Sequence, residues 1–528
     1  MKKALIIFYV VVGIGTLISC NKDFLDENPK SFIIPENFFK NIEDAKSALF
    51  ATYAATQTTG FQWNEGVQHA TFYVADYGTA DPGNANFHAM VDYAYTSNSP
   101  FLAHIWQTGY NTINKANFTI GNVQKMDSDL ISEEEKNQIV GEARFLRAYI
   151  YLDLVRMFGD IPLVLLETET IDDVFKPVST EAEIYENIIK DLEFAMANCP
   201  PIVRGSAEAT GRVDRGAAQA LLAKTYMNMA GFPLNQTDKW AEAHALLNDL
   251  ISNAGTYGFG LQNNYLDAFA TSNENGKEDV FSIQFEKGYG NAAAGRGSIL
   301  HIIANQQRLR ITPKLIFSYL KADGSLDDAD ERYLAIRPYR IIDGTPVFLG
   351  LYSTYTNPLS KDFPPGDENE GRIRQRLVAK FIEQEIQDNK SSQNDSGLNN
   401  PIIRWADVLL MMSETENEIN GPTAMAYQYL NEVRLRSKAE AAPEGMLQEG
   451  FRQYILDERA RELYAESSRW FDLKRSHSLI EEVQKSLDDF SGVSRFSKLR
   501  LPEEKNYYFP YPQDEVSFNP NIEQRPGY

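Results

Sequence analysis

Residues 137–158 read NQIVGEARFLRAYIYLDLVRMF, and this stretch decides the fold class. Apolar residues recur along it at steps of three and four, which places them on one face of an α-helix. This stripe consists of Ile139, Ala143, Leu146, Ile150 and Leu154. A Gly-Asp-Ile-Pro sequence at 159–162 then breaks the pattern, so the spacing predicts a helix that ends near residue 158.

Helical stretches come in pairs along the chain. A second helix is predicted at 179–199, with Ser179 or Thr180 as its N-cap and Glu183 completing a capping box with Thr180. The other pairs are 215–231 with 238–255, 402–420 with 423–437, and 451–467 with 468–483. Small residues suit places where two helices approach closely, at Ala143, Ala148, Ala220 and Ala223. Because such pairs cannot bury their apolar faces alone, they indicate a tetratricopeptide-like array in which each pair stacks on its neighbours.

Two segments between the paired helices differ in composition. Residues 57–101 and 254–400 are rich in Gly, Asn, Asp, Ser, Pro and aromatic residues and lack a sustained helical stripe. Within the second, GKEDVFSIQFE at 276–286 and PVFLGLY at 346–352 favour short strands. Long irregular segments are usually functional or disordered, and the aromatic content argues against disorder. We therefore predict a mainly α protein, with a tetratricopeptide-like helical-repeat scaffold and a less regular, loop-rich half containing a few short strands.

The N-terminus has the pattern of an exported lipoprotein. Two lysines precede an apolar run at 4–18, which is shorter than the roughly 20 residues of a membrane-spanning helix. The Leu-Ile-Ser-Cys sequence at 17–20 resembles a bacterial lipobox. We predict a signal peptide at 1–19 and lipidation at Cys20, whose acyl chains would anchor the body to a bilayer. An ordinary signal peptide with an incidental cysteine is the alternative. The other cysteine, Cys199, then has no disulfide partner in the chain and is interpreted as a packing residue.

Charge and motif content argue against several classes of function. The formal net charge is −22, which disfavours nucleic acid and anionic lipid as partners. There is no G-x-S-x-G elbow, P-loop or dinucleotide fingerprint, and the six histidines lack zinc-site spacing. We therefore expect no catalytic residues, no metal and no cofactor. A solvated loop is the simpler interpretation of the acidic run Asp323, Asp327, Asp328, Asp330 and Glu331, and a structural calcium ion is the alternative.

Blocks spread over nearly the whole chain resemble one protein family. They are CNKDFLDENP (20–29), IWQTGYNTINKAN (105–117), GEARFLRAYIYLDLVRMFGDIPLV (141–164), GRVDRGAAQALLAKTYMNMAG (211–231), IIRWADVLLMMSETEN (402–417), LNEVRLRS (430–437), ILDERARELYAESSRWFDLKR (455–475) and PYPQDEVSFNPNIEQRPGY (510–528). In this order they resemble the SusD/RagB-like outer-membrane lipoproteins of Bacteroidetes. The resemblance implies a helical scaffold with an irregular ligand-binding half, exposed on the outer membrane and capping a SusC-like TonB-dependent transporter.

The same resemblance implies one body rather than several domains. We expect a single unit at 20–528 after the signal peptide. Its predicted parts are repeat helices at about 102–253 and 402–486, loop-rich ligand-binding insertions at about 57–101 and 254–400, and an extended C-terminal tail at about 495–528.

Candidate ligand-binding residues lie in the two loop-rich segments. Sugars present flat C–H faces and a rim of hydroxyl groups, so a glycan site needs exposed aromatic planes beside polar side chains. The predicted ligand-binding residues are Trp63, Tyr73, Asp76, Asn84, Tyr95, Asn98, Tyr289, Arg340, Tyr352 and Tyr355. For each residue taken alone, packing in the core or within a loop is the competing interpretation.

Other aromatic and charged residues are interpreted as scaffold. Tryptophan and tyrosine side chains inside helical blocks are expected to pack between helices, at Trp106, Tyr110, Trp240, Trp405 and Trp470. Alternating charges at helical spacing predict a hydrogen-bonded network on the surface or between helices, formed by Glu458, Arg461, Glu462 and Arg469.

We therefore expect a non-enzymatic lipoprotein on the cell surface that binds oligo- or polysaccharide nutrients. It would deliver them to a SusC-like transporter in the outer membrane and would have no nucleic-acid partner. A peptide-binding or purely protein-adaptor subunit of the same kind of transporter is the alternative, and a glycoside hydrolase is a remote one, because 73 acidic residues leave a catalytic pair open.

Overall fold

The structure is a computed structural model of the chain. It describes residues 38–57, 66–80, 85–168, 170, 174–286, 309–312, 314–315, 318–319, 327, 329–336, 339–342, 345–348, 376–378, 380–381, 396–488 and 500–528.

Helices make up most of the described chain. In order they are α1 (Ile42–Thr56), α2 (Val67–Val74), α3 (Ala85–Val91), α4 (Pro100–Lys125), α5 (Glu133–Phe158), α6 (Glu181–Asn198), α7 (Arg215–Ala230), α8 (Lys239–Ser252), α9 (Ala254–Tyr257), α10 (Glu331–Leu334), α11 (Trp405–Asn420), α12 (Ala424–Arg436), α13 (Gln448–Glu462), α14 (Arg469–Arg475), α15 (Leu479–Asp488) and α16 (Gln513–Phe518). Short 3₁₀ turns occupy Tyr265–Phe269, Thr271–Asn273 and Glu504–Tyr507.

The strands are short and pair in small antiparallel sheets. They are β1 (Gly78–Thr79), β2 (Ile161–Pro162), β3 (Val178–Ser179), β4 (Asp279–Ile283), β5 (Arg310–Ile311), β6 (Tyr339–Ile342), β7 (Thr345–Phe348), β8 (Arg376–Leu377) and β9 (Asn400–Arg404). β1, β5 and β8 form a three-stranded sheet in that order, and the other pairs are β2 with β3, β4 with β9, and β6 with β7. The strand predicted within 276–286 is observed as β4. The strand predicted within 346–352 overlaps β7 at residues 346–348.

Successive helices pack on one another as a continuous array. α1 packs on α4, α4 on α5, α5 on α6, α6 on α7, and α7 on α8. α8 then contacts α11, which packs against both α12 and α13. The array is therefore continuous across the loop-rich segment, because the helix before it and the helix after it are neighbours. The mainly helical fold with a few short strands is confirmed.

The helix predicted from residues 137–158 is the centre of this array. Every residue of α5 from Ile139 to Phe158 is buried except Arg144, so the predicted stripe is only part of its buried surface. A helix buried on all sides needs partners on all sides, and α5 contacts α1, α4, α6 and α7. Small residues permit the close approach: a Cβ added at Gly141 would lie 3.1 Å from Cys199 Sγ, which agrees with a packing role for that thiol.

The C-terminal segment docks where α5 ends. Gly159 follows the helix with a φ of +71°, and a Cβ there would lie 1.9 Å from the Arg525 guanidinium. Glycine is therefore required at this position for both backbone conformation and space. The Phe509 N–H donates to the Met157 carbonyl at 2.9 Å, and Tyr511 Oη donates to the Asp160 carbonyl. The end of the chain thus becomes part of the core around α5.

The α6 N-cap provides a local test of the fold. Thr180 Oγ1 accepts a hydrogen bond from the Glu183 N–H at 3.3 Å, and the Glu183 carboxylate accepts one from the Thr180 N–H at 2.8 Å. Thr180→Ala is expected to lower the free energy of unfolding by about 1 kcal/mol, measured by chemical denaturation, because it leaves a helix N–H unsatisfied. Thr180→Ser keeps the acceptor oxygen and is the control, so an equal loss in both variants would contradict this explanation.

The segment 57–101 is more regular than its composition predicts. It contains α2 and α3, and all eight residues of α2 are buried, including Gln68, His69 and Thr71. A helix of eight residues with buried polar side chains is too short to show a sustained apolar stripe, which explains why the sequence pattern missed it. Within the described residues, no helix is both long and apolar enough to cross a bilayer.

Candidate functional site

Three short strands that border the loop-rich parts of the sequence pair in one small sheet. In sequence, residues 81–84 follow β1, residues 287–308 precede β5, and residues 351–375 precede β8. The sheet pairs Gly78 with Ile311, Thr79 with Arg310, and Arg310 with Leu377. Strands far apart in sequence are therefore brought together in this sheet, which we call the loop-bearing face, defined by β1, β5 and β8.

The loop-bearing face is held to the helices by buried polar bonds. The Thr312 N–H donates to the Tyr77 carbonyl at 2.7 Å, which extends the pairing of β1 and β5. Thr312 Oγ1 and Ser486 Oγ donate to the Asp76 carbonyl at 3.3 and 3.2 Å. The residues just after α2, the end of β5 and α15 are thus joined at one point beside the sheet.

Asp76 is the charged centre of this junction and not an open ligand contact. Its side chain is 1% exposed, and its two oxygens accept from Arg469 Nε and Nη2 at 2.9 and 2.7 Å. Lys314 Nζ lies 2.7 Å from the same carboxylate and 2.6 Å from Glu482. Burial alone would raise the pKa of Asp76, but the charges of Arg469 and Lys314 outweigh it and hold that pKa well below its usual value. The predicted ligand role of Asp76 is corrected to a structural one.

Tyr73 and Tyr95 are also corrected, because neither ring offers a face to a ligand. Tyr73 is fully buried, with its ring centroid 5.3 Å from that of Phe87. Tyr95 is buried against the C-terminal segment, where its hydroxyl accepts from Asn506 Nδ2 at 3.1 Å and its ring stacks on Tyr528. Both tyrosines fill the core, which was the competing interpretation for each candidate.

The remaining candidates are not brought together by the described residues. Asn98 is exposed in the turn before α4, where its N–H donates to Thr96 Oγ1 at 3.3 Å. Arg340 lies in β6 opposite Val347, and its side chain is outside the described part. The candidates outside the described residues are Trp63, Asn84, Tyr289, Tyr352 and Tyr355, together with the lipidation candidate Cys20. Their roles stay predictions.

Two protein-family models match the sequence of this chain. A model described as "SusD family" matches residues 277–528, and one described as "Starch-binding associating with outer membrane" matches residues 23–227. The chain belongs to the SusD/RagB family.

Relatives of this SusD-family chain match it over nearly their whole length. SusD-like protein P25 from Formosa agariphila is 29% identical over 524 residues, covering 92% of each chain. A SusD homolog from Bacteroides thetaiotaomicron has a crystal structure with a TM-score of 0.76 at 22% identity, covering 94% of this chain and 98% of that one. A structure described as a laminarin-binding SusD-like protein has a TM-score of 0.70 at 22% identity, covering 93% and 100%. These likenesses show that the fold is shared.

A second cluster of buried charged side chains connects other parts of the loop-rich half to the helices of this SusD-family protein. The four residues of the predicted network are buried between helices, but only Glu458, Arg461 and Glu462 belong to this cluster, because Arg469 pairs with Asp76. The cluster extends to two arginines that the sequence pattern missed, Arg332 and Arg404, and both donate to Glu462. Arg332 is 130 residues from Glu462, so no helical spacing could reveal this contact.

A buried lysine extends the same cluster. Lys380 Nζ donates to Glu466, which also accepts two hydrogen bonds from Arg404 at 2.7 and 2.9 Å. Burial lowers the pKa of Lys380 to about 8 even though Glu466 favours its charged form. An ion pair thus joins the residues just after β8 to the turn that follows α13.

The acidic run at 323–331 is held by protein groups where it is described. Asp330 accepts from Arg332 Nε and Nη2 at 2.9 and 2.7 Å, and it is buried, as is Asp327. The interpretation of this run as a solvated loop is therefore corrected for these two residues. Asp323 and Asp328 lie outside the described residues. Within the described ranges, no group of three or more His, Cys, Asp or Glu residues is arranged to hold a metal ion.

Proposed function

We propose that this SusD-family protein is a lipid-anchored, cell-surface binder of oligo- and polysaccharides that delivers them to a SusC-like TonB-dependent transporter. The observation that supports the proposal is the pairing in one sheet of β1, β5 and β8, three strands that border loop-rich parts of the sequence. The family model described as starch-binding, and a structural relative described as laminarin-binding, support glycan as the ligand class.

The rigid base beneath the loop-bearing face suits binding without chemistry. Stacking on aromatic rings and hydrogen bonds to hydroxyl groups hold a sugar without breaking a bond. Such contacts give useful affinity only when little conformational entropy is lost on binding, so a preorganised support favours them. The buried contacts of Asp76 and Glu462 supply that support from the helical array. In this proposal the protein is a binder and not an enzyme.

The membrane location in this proposal depends on Cys20. An acylated Cys20 would hold the body at the outer membrane, and the description of one matching family model names association with that membrane. The helical array and the C-terminal segment would then remain outside the bilayer, as a soluble body on a lipid tether. Delivery to a SusC-like partner follows from family membership and is the part of the proposal that a transport assay must test.

Glycan binding by the purified protein, without its transporter, is the decisive measurement. The mature protein would be titrated with laminarin, starch, xylan and mannan by isothermal calorimetry and affinity electrophoresis. Binding of at least one polysaccharide is expected. If none binds while transport still requires the protein, the adaptor alternative is favoured, and release of reducing ends from a bound glycan would indicate a hydrolase instead.

Trp63→Ala is expected to weaken affinity for the bound glycan by about tenfold, because aromatic anchors dominate binding energy at such sites. The control is Trp240→Ala, which removes a partly buried tryptophan of α8 that packs on the helical core. This control is expected to lower thermal stability and leave glycan affinity unchanged. Equal affinities in the wild type and Trp63→Ala would remove Trp63 from the site.

A further inference from the structure

A groove lies between the end of α1, the turn before α7 and β4. It is separate from the loop-bearing face. Its cavity volume is about 180 Å³. Its lining includes Phe50 and Gln57 from α1, Thr210 and Arg212 from the turn, and Gln284 after β4. The groove therefore joins residues of the N-terminal helix to residues at the beginning of the loop-rich half.

The walls of the groove are held in place by specific contacts. Gln57 Nε2 donates to the Gln284 carbonyl at 2.6 Å, across 227 residues of sequence. Gly211 adopts a φ of +78°, and a Cβ there would lie 2.1 Å from Gln284 Cδ, so glycine alone permits this approach. The floor is built from Tyr53, whose hydroxyl donates to Glu142 at 2.7 Å and accepts from the Val213 N–H at 2.8 Å.

The groove presents one aromatic ring beside polar groups. Phe50 is 49% exposed, and the Arg212 guanidinium lies 5.9 Å from its ring centroid. Arg212 uses Nε and Nη2 for Glu142, and within the described residues its Nη1 has no hydrogen-bond partner. An open ring face and a nearby donor are the two groups that a sugar ring needs.

The charge of the groove favours a neutral ligand over an anionic one. Arg212 is paired with the buried carboxylate of Glu142, so the pair contributes no net charge. The chain as a whole carries −22, which disfavours anionic ligands. A neutral ring with hydroxyl groups satisfies Arg212 without disturbing its ion pair.

We propose that this groove is a second glycan-binding subsite, which takes one neutral sugar ring stacked on Phe50 with a hydroxyl accepting from Arg212. The inference rests on the proposed function, since it names a further contact for the same class of ligand. Gln57 and Gln284 stand shortly before the segments 58–65 and 287–308, so a glycan in the groove lies beside the points where both segments leave the scaffold.

The test compares Phe50→Ala and Phe50→Trp with the wild type, using laminarin, starch, xylan and mannan as probes in calorimetry. Phe50→Ala is expected to weaken affinity about five- to tenfold, and Phe50→Trp to retain or strengthen it, because stacking depends on ring area. Phe518→Ala is the matched control, since Phe518 in α16 is 74% exposed and is not among the groove residues. This control is expected to bind like the wild type.

The outcomes separate the two proposals. If the wild type binds no polysaccharide, glycan binding itself is overturned. If the wild type binds and both Phe50→Ala and Phe518→Ala bind equally well, the groove is not a subsite and the proposed function stands. A crystal structure of the complex with a sugar ring on Phe50 would support the inference, and one with the groove filled by residues 58–65 or 287–308 would overturn it.

Discussion

Replacing Glu458 by Gln is expected to lower the free energy of unfolding by about 3–5 kcal/mol, towards the upper end of that range. Glu458 has no exposed surface, and its carboxylate pairs with three arginines, Arg332, Arg434 and Arg461. With the neutral amide of Gln, Arg332 would keep Asp330 and Glu462 as partners, but Arg434 and Arg461 would lose the carboxylate that they pair with. Because folded domains are stable by only about 5–15 kcal/mol, this loss is a large fraction of the total. Chemical denaturation of the purified protein measures it.

The position of Glu458 explains why the effect should be so large. Arg332 belongs to α10 in the loop-rich half, whereas Arg434 and Arg461 lie in the last turns of α12 and α13. Burial alone would raise the pKa of Glu458, but the three guanidinium groups outweigh it and hold that pKa well below its usual value. One carboxylate thus joins two helices of the array to the loop-rich half.

Two further variants make the explanation testable even if Glu458→Gln folds poorly. Glu449→Gln removes a carboxylate from the same helix that is 82% exposed and paired with Arg452, and it should change stability little. Adding Arg461→Gln to Glu458→Gln removes one of the guanidinium groups that lose Glu458 as a partner, so the double variant should be more stable than Glu458→Gln alone. A double variant that is less stable would show that charge balance is not the cause.

The helical array could be predicted from sequence because its signal is local. The stripe in 137–158 and the capping box at Thr180 each depend on residues within a few positions, and both are present in the structure. α2 carries no such signal, since it has only eight residues and its polar residues are buried together with its apolar ones. Local pattern therefore recovers long helices with a sustained apolar stripe, even a fully buried one such as α5, and misses short helices without one.

The candidate site was harder to predict because exposure depends on distant partners. Asp76 and Tyr95 have the right chemistry for a glycan contact, but Asp76 pairs with Arg469 across 393 residues and Tyr95 bonds Asn506 across 411. Phe50 gave no signal at all, since a single Phe in a helix is ordinarily a core residue. Its exposure depends on which distant segments pack against α1, and no spacing within α1 reveals them.

Asp76→Asn is the second change with a large expected effect, again about 3–5 kcal/mol in the free energy of unfolding. The neutral amide would leave Arg469 and Lys314 facing each other without the carboxylate that both now contact. Since Asp76 precedes β1 and Lys314 follows β5, protection of the amides of these strands from hydrogen exchange should fall first. Asp127→Asn, at an exposed position after α4, is the control and should leave stability and exchange unchanged.

The pH dependence of the same variant identifies charge as the cause. The pKa of Asp76 is depressed by Arg469 and Lys314, whereas an unfolded chain has an Asp pKa of about 3.9. The stabilisation is therefore fully present above about pH 4 and is lost as the pH falls further, because the unfolded state then binds the proton and the folded state does not. The difference in unfolding free energy between wild type and Asp76→Asn should be constant from about pH 5 to 8 and shrink below about pH 4. A difference that stays the same at pH 3 would mean that Asp76 acts through its shape and hydrogen bonds and not through its charge.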